Sequence, residues 1–304
     1  MNAIGIDWGS SSLRAYLFDG SHALLDYRES DQGITRLNGE RQHFEQTLLG
    51  LIADWRQPDM LILLSGMITS RNGWIETPYL PCPARSADLF DHAVSMELAD
   101  LRLKFLPGVC QAGPDAQVAT RPGIMPDVMR GEELQLLGTG PKAGTELLVL
   151  PGTHSKWALV SSDAVIAFRT IPTGELFDVL LSHSLIGGLA QSSGWSDSHF
   201  IDGVECGYHQ DAILGQLFTC RSSVLLETRS PSESRSWLSG LLIGREVREG
   251  SALQSGTIDM LRLVGSEKLC ALYKAALEHL EVHCEIEARD AAQLGYQCLL
   301  ARTG

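Results

Sequence analysis

The chain has no long apolar run, no cysteine pairing pattern and no excess of positive charge. Its most hydrophobic stretch, Met60-Leu61-Ile62-Leu63-Leu64, is far short of a bilayer span. Asp7 interrupts the short apolar stretch at the N-terminus and no basic region precedes it, so a secretory signal is not expected. Seven cysteines (82, 110, 206, 220, 270, 284 and 298) are scattered, odd in number and without C-x-x-C spacing. That pattern predicts reduced thiols in a cytoplasmic protein. A net charge of −13 leaves no basic face for general nucleic-acid binding, so any anionic ligand must be met by local donors and a cation. Neither G-x-G-x-x-G nor G-x-x-x-x-G-K-[ST] occurs, which removes Rossmann and P-loop readings. His279 and His283, with Glu278 nearby, mimic a zinc pair, but Leu280 and Val282 between them predict a helix ending and a strand starting.

What is present is the composition of an ordinary globular protein, 44% hydrophobic and 20% charged. Its 304 residues allow two domains of about 150 residues each. The opening reads Gly5-Ile6-Asp7-Trp8-Gly9-Ser10-Ser11-Ser12-Leu13-Arg14-Ala15: a strand ending in an acid, then a loop of small hydrogen-bonding residues. Such a loop suits a phosphate carried by a metal ion, and equally an ordinary polar turn.

The loop has an echo. Leu147-Leu148-Val149-Leu150-Pro151-Gly152-Thr153-His154-Ser155-Lys156-Trp157-Ala158 aligns with it at one constant offset. Gly9 falls on Gly152, Ser10 on Thr153, Ser12 on Ser155 and Ala15 on Ala158. Hairpins follow both, closed by Asp19-Gly20 in the first half and by Ser162-Asp163 in the second. Helical segments are expected next, over 38–57 and 174–184. Each half therefore begins strand, small-residue loop, strand, turn, strand, and each loop offers N–H groups and hydroxyls of the kind that cradle phosphate oxygens. The halves differ in charge. Asp7 aligns with Leu150, so only the first loop carries the acid; Arg14 follows the first loop and Lys156 the second.

The duplicated pattern resembles the actin-like ATPase superfamily, to which hexokinase and glycerol kinase belong. Within it, "DWGSSSLRAYL", "VMRGEELQLLG", "LPGTHSKW" and "LSGLLIGREV" resemble the 2-dehydro-3-deoxygalactonokinases, over about residues 3 to 300. The resemblance implies an α/β fold: two duplicated ribonuclease-H-like domains around a nucleotide-binding cleft, over 1–140 and 145–304. The last helix, near 290–301, packs back on the first domain in this scheme. Gly138-Thr139-Gly140 and Gly144 serve as hinges. Pro151 departs from the superfamily, whose second loop commonly carries an acid, and so points to a single metal carboxylate.

The implied reaction is transfer of the γ-phosphate of ATP to the terminal 6-hydroxyl of 2-dehydro-3-deoxy-D-galactonate, in galactonate catabolism. The cofactors are ATP and Mg2+. Asp7 is then the metal holder, through waters because magnesium dehydrates reluctantly. Gly9, Ser10, Ser11 and Arg14 face the phosphates from one side, and Gly152, Thr153, His154, Ser155 and Lys156 from the other. Glu132, at a helix N-terminus where an anion is stabilised, is the candidate base, with Glu133 and Asp127 as rivals. Ser70, Arg71, Asn72 and Trp74 of loop 66–76, together with Arg130, are the candidate substrate contacts, an arginine fork suiting a carboxylate. Gly240, Gly265 and Ser266 are the candidate adenine-facing residues.

Partners are confined to the small sugar acid and a second copy of the chain, with no nucleic acid and no membrane. Three rival functions stay open: a phosphohydrolase of the exopolyphosphatase type, a kinase for another 2-keto-3-deoxy sugar acid, and a sugar-responsive regulator. The last usually carries a helix-turn-helix ahead of the fold, whereas this sequence opens directly on the first strand.

Overall fold

The computed structural model describes residues 2–37, 40–111, 126–253 and 260–302. The chain forms two compact units. The first comprises Met1–Thr145, Val160–Ala167 and Ala288–Gly304; the second comprises Glu146–Leu159 and Phe168–Glu287.

The first unit opens with β1 (Ala3–Trp8), β2 (Leu13–Phe18) and β3 (Leu24–Ser30), then α1 (Arg41–Leu51) and β4 (Leu61–Ser65). Short strands β5 (Tyr79–Pro81) and β6 (Ala84–Arg85) lead to α2 (Ser86–Asp91). β7 (Val94–Leu98), β8 (Leu101–Phe105), β9 (Gly108–Gln111), β10 (Asp127–Met129) and α3 (Glu132–Thr139) complete its first segment. The main sheet runs β3-β2-β1-β4-β8-β7, with β1 parallel to β4 and antiparallel to β2. A second sheet has the order β10-β9-β5.

Strand periodicity fixes which side chains of β1 share a face. Ile4, Ile6 and Trp8 point into a core with Phe44 and Leu48 of α1. Gly5 and Asp7 point to the other face, where Asp7 pairs across with Arg14 on β2 and with Ser65 on β4. That face is covered by the helix at 291–300, whose Tyr296 ring would stand 2.4 Å from a Cβ on Gly5.

The second unit repeats the scheme. β11 (Thr145–Leu150), β12 (Ser155–Ser161) and β13 (Ala164–Ile171) are followed by α4 (Thr173–His183), α5 (Asp197–His209), α6 (Ile213–Leu225) and α7 (Pro231–Ser251). Then come β14 (Leu261–Leu263), α8 (Glu267–His279) and β15 (Cys284–Ile286), and the chain returns to the first unit as α9 (Ala291–Leu300). Read from the opposite end, the strand order β13-β12-β11-β14-β15 matches β3-β2-β1-β4-β8 of the first unit, with third, second, first and fourth strands in the same places. β14 lies parallel to both β11 and β15. The repeated loop is thus a repeated topology. The fold is α/β, built from two ribonuclease-H-like strand arrangements.

Two buried devices hold the second unit. Arg262 on β14 is 2% exposed and bonds Glu146 at 2.8 Å and Glu287 at 3.1 Å, pairing a buried cation with two carboxylates across neighbouring strands. α7 starts at a capping box, in which Ser230 and Glu233 satisfy each other's backbone N–H groups with Pro231 at the first turn.

α9 packs on α3 and β1, so 288–304 fall in the first unit. Two expectations shift. Gly138 is a packing residue of α3, not a hinge: a Cβ there would sit 2.1 Å from the backbone of Gly295 on α9. The helix expected over 38–57 spans Arg41–Leu51; residues 38 and 39 lie outside the described residues.

Candidate active site

In the first unit, Asp7 closes β1 with its side chain 12% exposed and forms an ion pair with Arg14 directly across the hairpin. Burial pushes the Asp7 carboxyl up; Arg14 opposes this, while Asp290 and Glu132 add to the rise. Asp290 caps α9 through Gln293 N–H at 3.0 Å and takes the Tyr16 hydroxyl at 3.0 Å. It shares Asp7's surroundings although 283 positions separate them in the sequence. The floor beside Asp7 is backbone. Gly66 and Gly131 both have positive φ, +86° and +109°, and a Cβ on Gly66 would stand 3.2 Å from Asp7 Oδ1 and 2.9 Å from the Trp8 carbonyl. A Cβ on Gly131 would meet Gly66 Cα at 3.1 Å. This contact brings the N-terminus of α3, and so Glu132, to the acidic end of β1.

Gly131 also separates the two glutamates. Glu132 is half-buried and takes the Arg130 N–H at 3.0 Å. Glu133 is 1% exposed, with both oxygens on the Gly131 N–H at 2.8 Å. Burial and the charge of Glu132 push Glu133 up to about 8. Glu133, a rival for the base, thus caps its own helix from inside the protein. Asp127, the other rival, lies on β10 paired with Gln111 and takes the Val128 N–H at 2.7 Å.

The first loop is a closed turn. Gly9 N–H donates to the Ser12 carbonyl at 2.9 Å, so it is not a free phosphate donor as expected; the Gly9 carbonyl takes Ile34 N–H at 3.1 Å. Ser10 and Ser11 are exposed at the tip, and Thr35 bonds the Ser10 carbonyl through both N–H and hydroxyl. Beside them opens a pocket of about 460 Å³, lined by Ser10, Ile34, Thr35, Met67, Arg71, Asn72 and Gly73. Arg71 is exposed and makes no hydrogen bond or ion pair among the described residues. Three predicted residues, Ser10, Arg71 and Asn72, meet here.

Other substrate candidates have different work. Ser70 spends its hydroxyl on the Met67 carbonyl at 2.7 Å. Trp74 is partly buried against the core, edge-on to Phe105 at 5.3 Å and stacked near Phe44 at 6.3 Å. Arg130 is 9% exposed; it bonds the Thr69 hydroxyl at 2.8 Å, the Thr77 carbonyl at 2.9 Å and the Thr77 hydroxyl, and lies over the Tyr79 ring. With its donors spent on the loop at 69–79, Arg130 stitches that loop to α3 and offers no fork to a ligand.

In the second unit, Thr153 and His154 are exposed at the loop tip. Glu175 N–H donates to the Thr153 carbonyl at 3.0 Å, and His154 Nε2 meets Glu175 Oε2 at 2.7 Å. Ser155 and Lys156, expected to face phosphates, are buried behind the tip. Ser155 Oγ lies 3.0 Å from the Tyr273 hydroxyl, and Lys156 Nζ donates to the His154 carbonyl at 3.2 Å. Next to Gly152 lies the larger pocket, about 640 Å³, walled by Phe177, Trp195, Leu242, Leu269 and Leu272, with Arg235 and Lys268 among its lining residues. These residues come from α4, α7, α8 and the loop before α5, spread between Phe177 and Leu272, and carry no motif. Gly265, with φ of +145°, and Ser266 lie exposed at the start of α8, whose Lys268 and Leu269 line the pocket. Gly240 is a helix-contact residue instead of an adenine wall: a Cβ there would stand 1.9 Å from the Phe200 carbonyl on α5. Gly244 packs in the same way on Val204, so the pair form a close-packing stripe.

No helix among the described residues is long and apolar enough to cross a membrane, and all seven cysteines are free. His279 ends α8 and bonds Glu205 at 2.6 Å.

Comparison with known proteins matches residues 7–298 to the family described as 2-keto-3-deoxy-galactonokinase. The 2-dehydro-3-deoxygalactonokinase of Escherichia coli (strain K12) is 38% identical over 293 residues, covering 95% of this chain and 94% of that protein. A solved structure from Sinorhizobium meliloti, described as a 2-dehydro-3-deoxygalactonokinase protein, is 33% identical. It superposes with a TM-score of 0.87 over 99% of this chain and 98% of the other. With the duplicated strand order, the paired loops and these matches together, the chain belongs to the 2-keto-3-deoxy-galactonokinase family.

Proposed function

We propose that the protein transfers the γ-phosphate of ATP to the terminal 6-hydroxyl of 2-dehydro-3-deoxy-D-galactonate. Family membership supports the kinase reaction. The observation that carries the sugar-acid half is Arg71: a cation without a partner among the described residues, in a pocket otherwise lined by small polar and apolar residues. A guanidinium in that setting holds a carboxylate with two parallel bonds, and Ser10, Thr35 and Asn72 beside it suit sugar hydroxyls. The apolar walls and flanking cations of the larger pocket suit adenosine and its phosphates.

Phosphoryl transfer is mostly positioning and charge stabilisation. Asp7 offers a hard carboxylate oxygen, and no group of three His, Cys, Asp or Glu among the described residues is arranged to enclose a metal. That donor set fits magnesium, which keeps most of its waters and takes its remaining ligands from phosphates. Asp7 would hold the ion, which supplies neutralisation of charge on the transferring phosphates. Glu132 is the base in this reading: half-buried, at the positive end of α3 and close enough to Asp7 to shift it. Arg14 holds Asp7 in place, and Thr153 and His154 present the exposed tip of the second loop.

A coupled ADP-release screen over several 2-keto-3-deoxy sugar acids tests the proposal. ADP release that requires the galactonate-derived acid is expected. Equal ATP consumption without any sugar acid would identify a hydrolase, and preference for another acid would reassign the substrate.

A further inference from the structure

Beneath the second loop lies a buried carboxyl group that the transfer reaction does not use. Glu246 on α7 is 1% exposed, and it takes Trp157 Nε1–H at 2.8 Å and the Tyr273 hydroxyl at 2.5 Å. The hydroxyl of Thr173 also donates to it, opposing the upward push of burial on its proton affinity. Three donors, from β12, α4 and α8, therefore converge on one side chain of α7. Such a group costs several kcal/mol to bury unless every lone pair is satisfied.

The donors have a direction. An indole N–H can only donate, so one Glu246 oxygen must accept. Tyr273 gives its single hydrogen to the other. Its oxygen is then left to accept from Ser155 at 3.0 Å, which is shorter than the alternative of Ser155 to the Gly152 carbonyl at 3.5 Å. Ser155 in turn keeps a lone pair for the Gly152 N–H at 3.3 Å. The carboxylate thus dictates, through two hydroxyls, the orientation of the peptide that opens the loop. Gly152, Thr173 and Tyr273 also line the 640 Å³ pocket.

We propose that Glu246 is a positioning residue for nucleotide binding, fixing the Gly152 peptide and the pocket wall at Thr173 through Tyr273 and Ser155. The proposal rests on the reading of this pocket as the nucleotide site. In Glu246→Gln the side chain keeps its shape, but its one oxygen must serve Trp157, and its NH2 group then faces the Tyr273 oxygen. The chain reverses: Tyr273 donates to Ser155, and the Ser155 hydrogen turns from Tyr273 to the Gly152 carbonyl, 3.5 Å away, so the peptide that opens the loop meets a changed partner. Tyr273→Phe cuts the same chain in the middle.

Calorimetric titration with ATP and steady-state kinetics on both substrates test this. Glu246→Gln and Tyr273→Phe are each expected to raise the ATP Kd and KM by about tenfold, the scale of one hydrogen bond to a charged group. The sugar-acid KM should stay within about twofold, and the double variant should be no worse than the poorer single one, because both act through one chain. Additive losses, or equal losses in both substrates' KM, would overturn the proposal in favour of a simple core hydrogen bond. If Glu246→Gln does not fold, Tyr273→Phe and Ser155→Ala carry the same cycle. Leu272→Trp, which fills the pocket, separates the two levels of argument. ATP binding that survives it removes the pocket as the nucleotide site, and the proposal with it. ATP binding lost there but unchanged in Glu246→Gln overturns the proposal alone.

Discussion

Glu133 makes the stability of the first unit depend on pH in a direction opposite to that of an ordinary salt-bridged carboxylate. Its ordinary value is 4.5, and burial with the charge of Glu132 raises it to about 8 in the folded chain. Between those values the folded state binds the proton and the unfolded state has released it. Stability contributed by this group is therefore full below about pH 4.5, declines as pH rises, and is gone above about pH 8. At 1.36 kcal/mol per unit, the window is worth about 5 kcal/mol. Glu133→Gln keeps an oxygen for the Gly131 N–H and cannot ionise. Urea unfolding followed by circular dichroism at pH 5, 6.5, 8 and 9 gives the difference between variant and wild type. That difference should swing toward the variant by about 4 kcal/mol from pH 5 to pH 9, since part of the window lies below pH 5. The change with pH is the readout, since any fixed cost of the amide cancels. Parallel curves for the two proteins would show that Glu133 is not a buried proton carrier.

Glu132→Gln should lower kcat by roughly 10²–10⁴-fold with little change in either KM, measured by coupled ADP release. Glu133→Gln assayed at pH 6.5 should keep most turnover, and the reverse outcome would move the base to Glu133. Arg71→Ala should raise the sugar-acid KM by about 10–100-fold and leave the ATP KM in place, as expected for a charged hydrogen-bond pair; an unchanged sugar-acid KM removes Arg71 from the site. Asp7→Asn should fold normally, judged by circular dichroism, and lose most turnover at limiting magnesium. Wild-type activity under those conditions would detach Asp7 from the metal.

The local parts of this molecule were legible because local rules govern them. Alternating strands, a two-residue turn and a small-residue loop recur in both halves, and the strand order then follows in both units. Arg71 and Asn72 read as substrate contacts on a loop leaving a buried strand, and both line the 460 Å³ pocket. What escaped depends on partners far away in sequence. Trp74 reads as a sugar platform until Phe44 and Phe105 enclose it. Arg130 reads as a ligand fork until Thr69 and Thr77 consume it. Nothing in the string Glu132-Glu133 says which carboxyl turns inward; the positive φ of Gly131 and the cap it permits decide that. Gly240 and Gly244 fit a ligand wall or a helix contact equally well until α5 supplies the backbone that touches them. The pocket walls at Trp195, Arg235 and Lys268, and Asp290 beside Asp7, have no sequence neighbours that mark them.

The ion pair between Asp7 and Arg14 also bears on how metal and folding are linked. A carboxylate at the end of a central strand, with Asp290 and Glu132 nearby and a net charge of −13 around it, would ordinarily need a bound cation to keep the strand end in place. Arg14 is that cation, tethered on the neighbouring strand and carried by the chain itself. On the proposed magnesium site, folding therefore does not wait on the metal, unlike in small metal-nucleated domains. A chelator is expected to stop turnover and to leave the protein folded. Arg14 thus stands in the folded protein as the built-in counter-ion of Asp7.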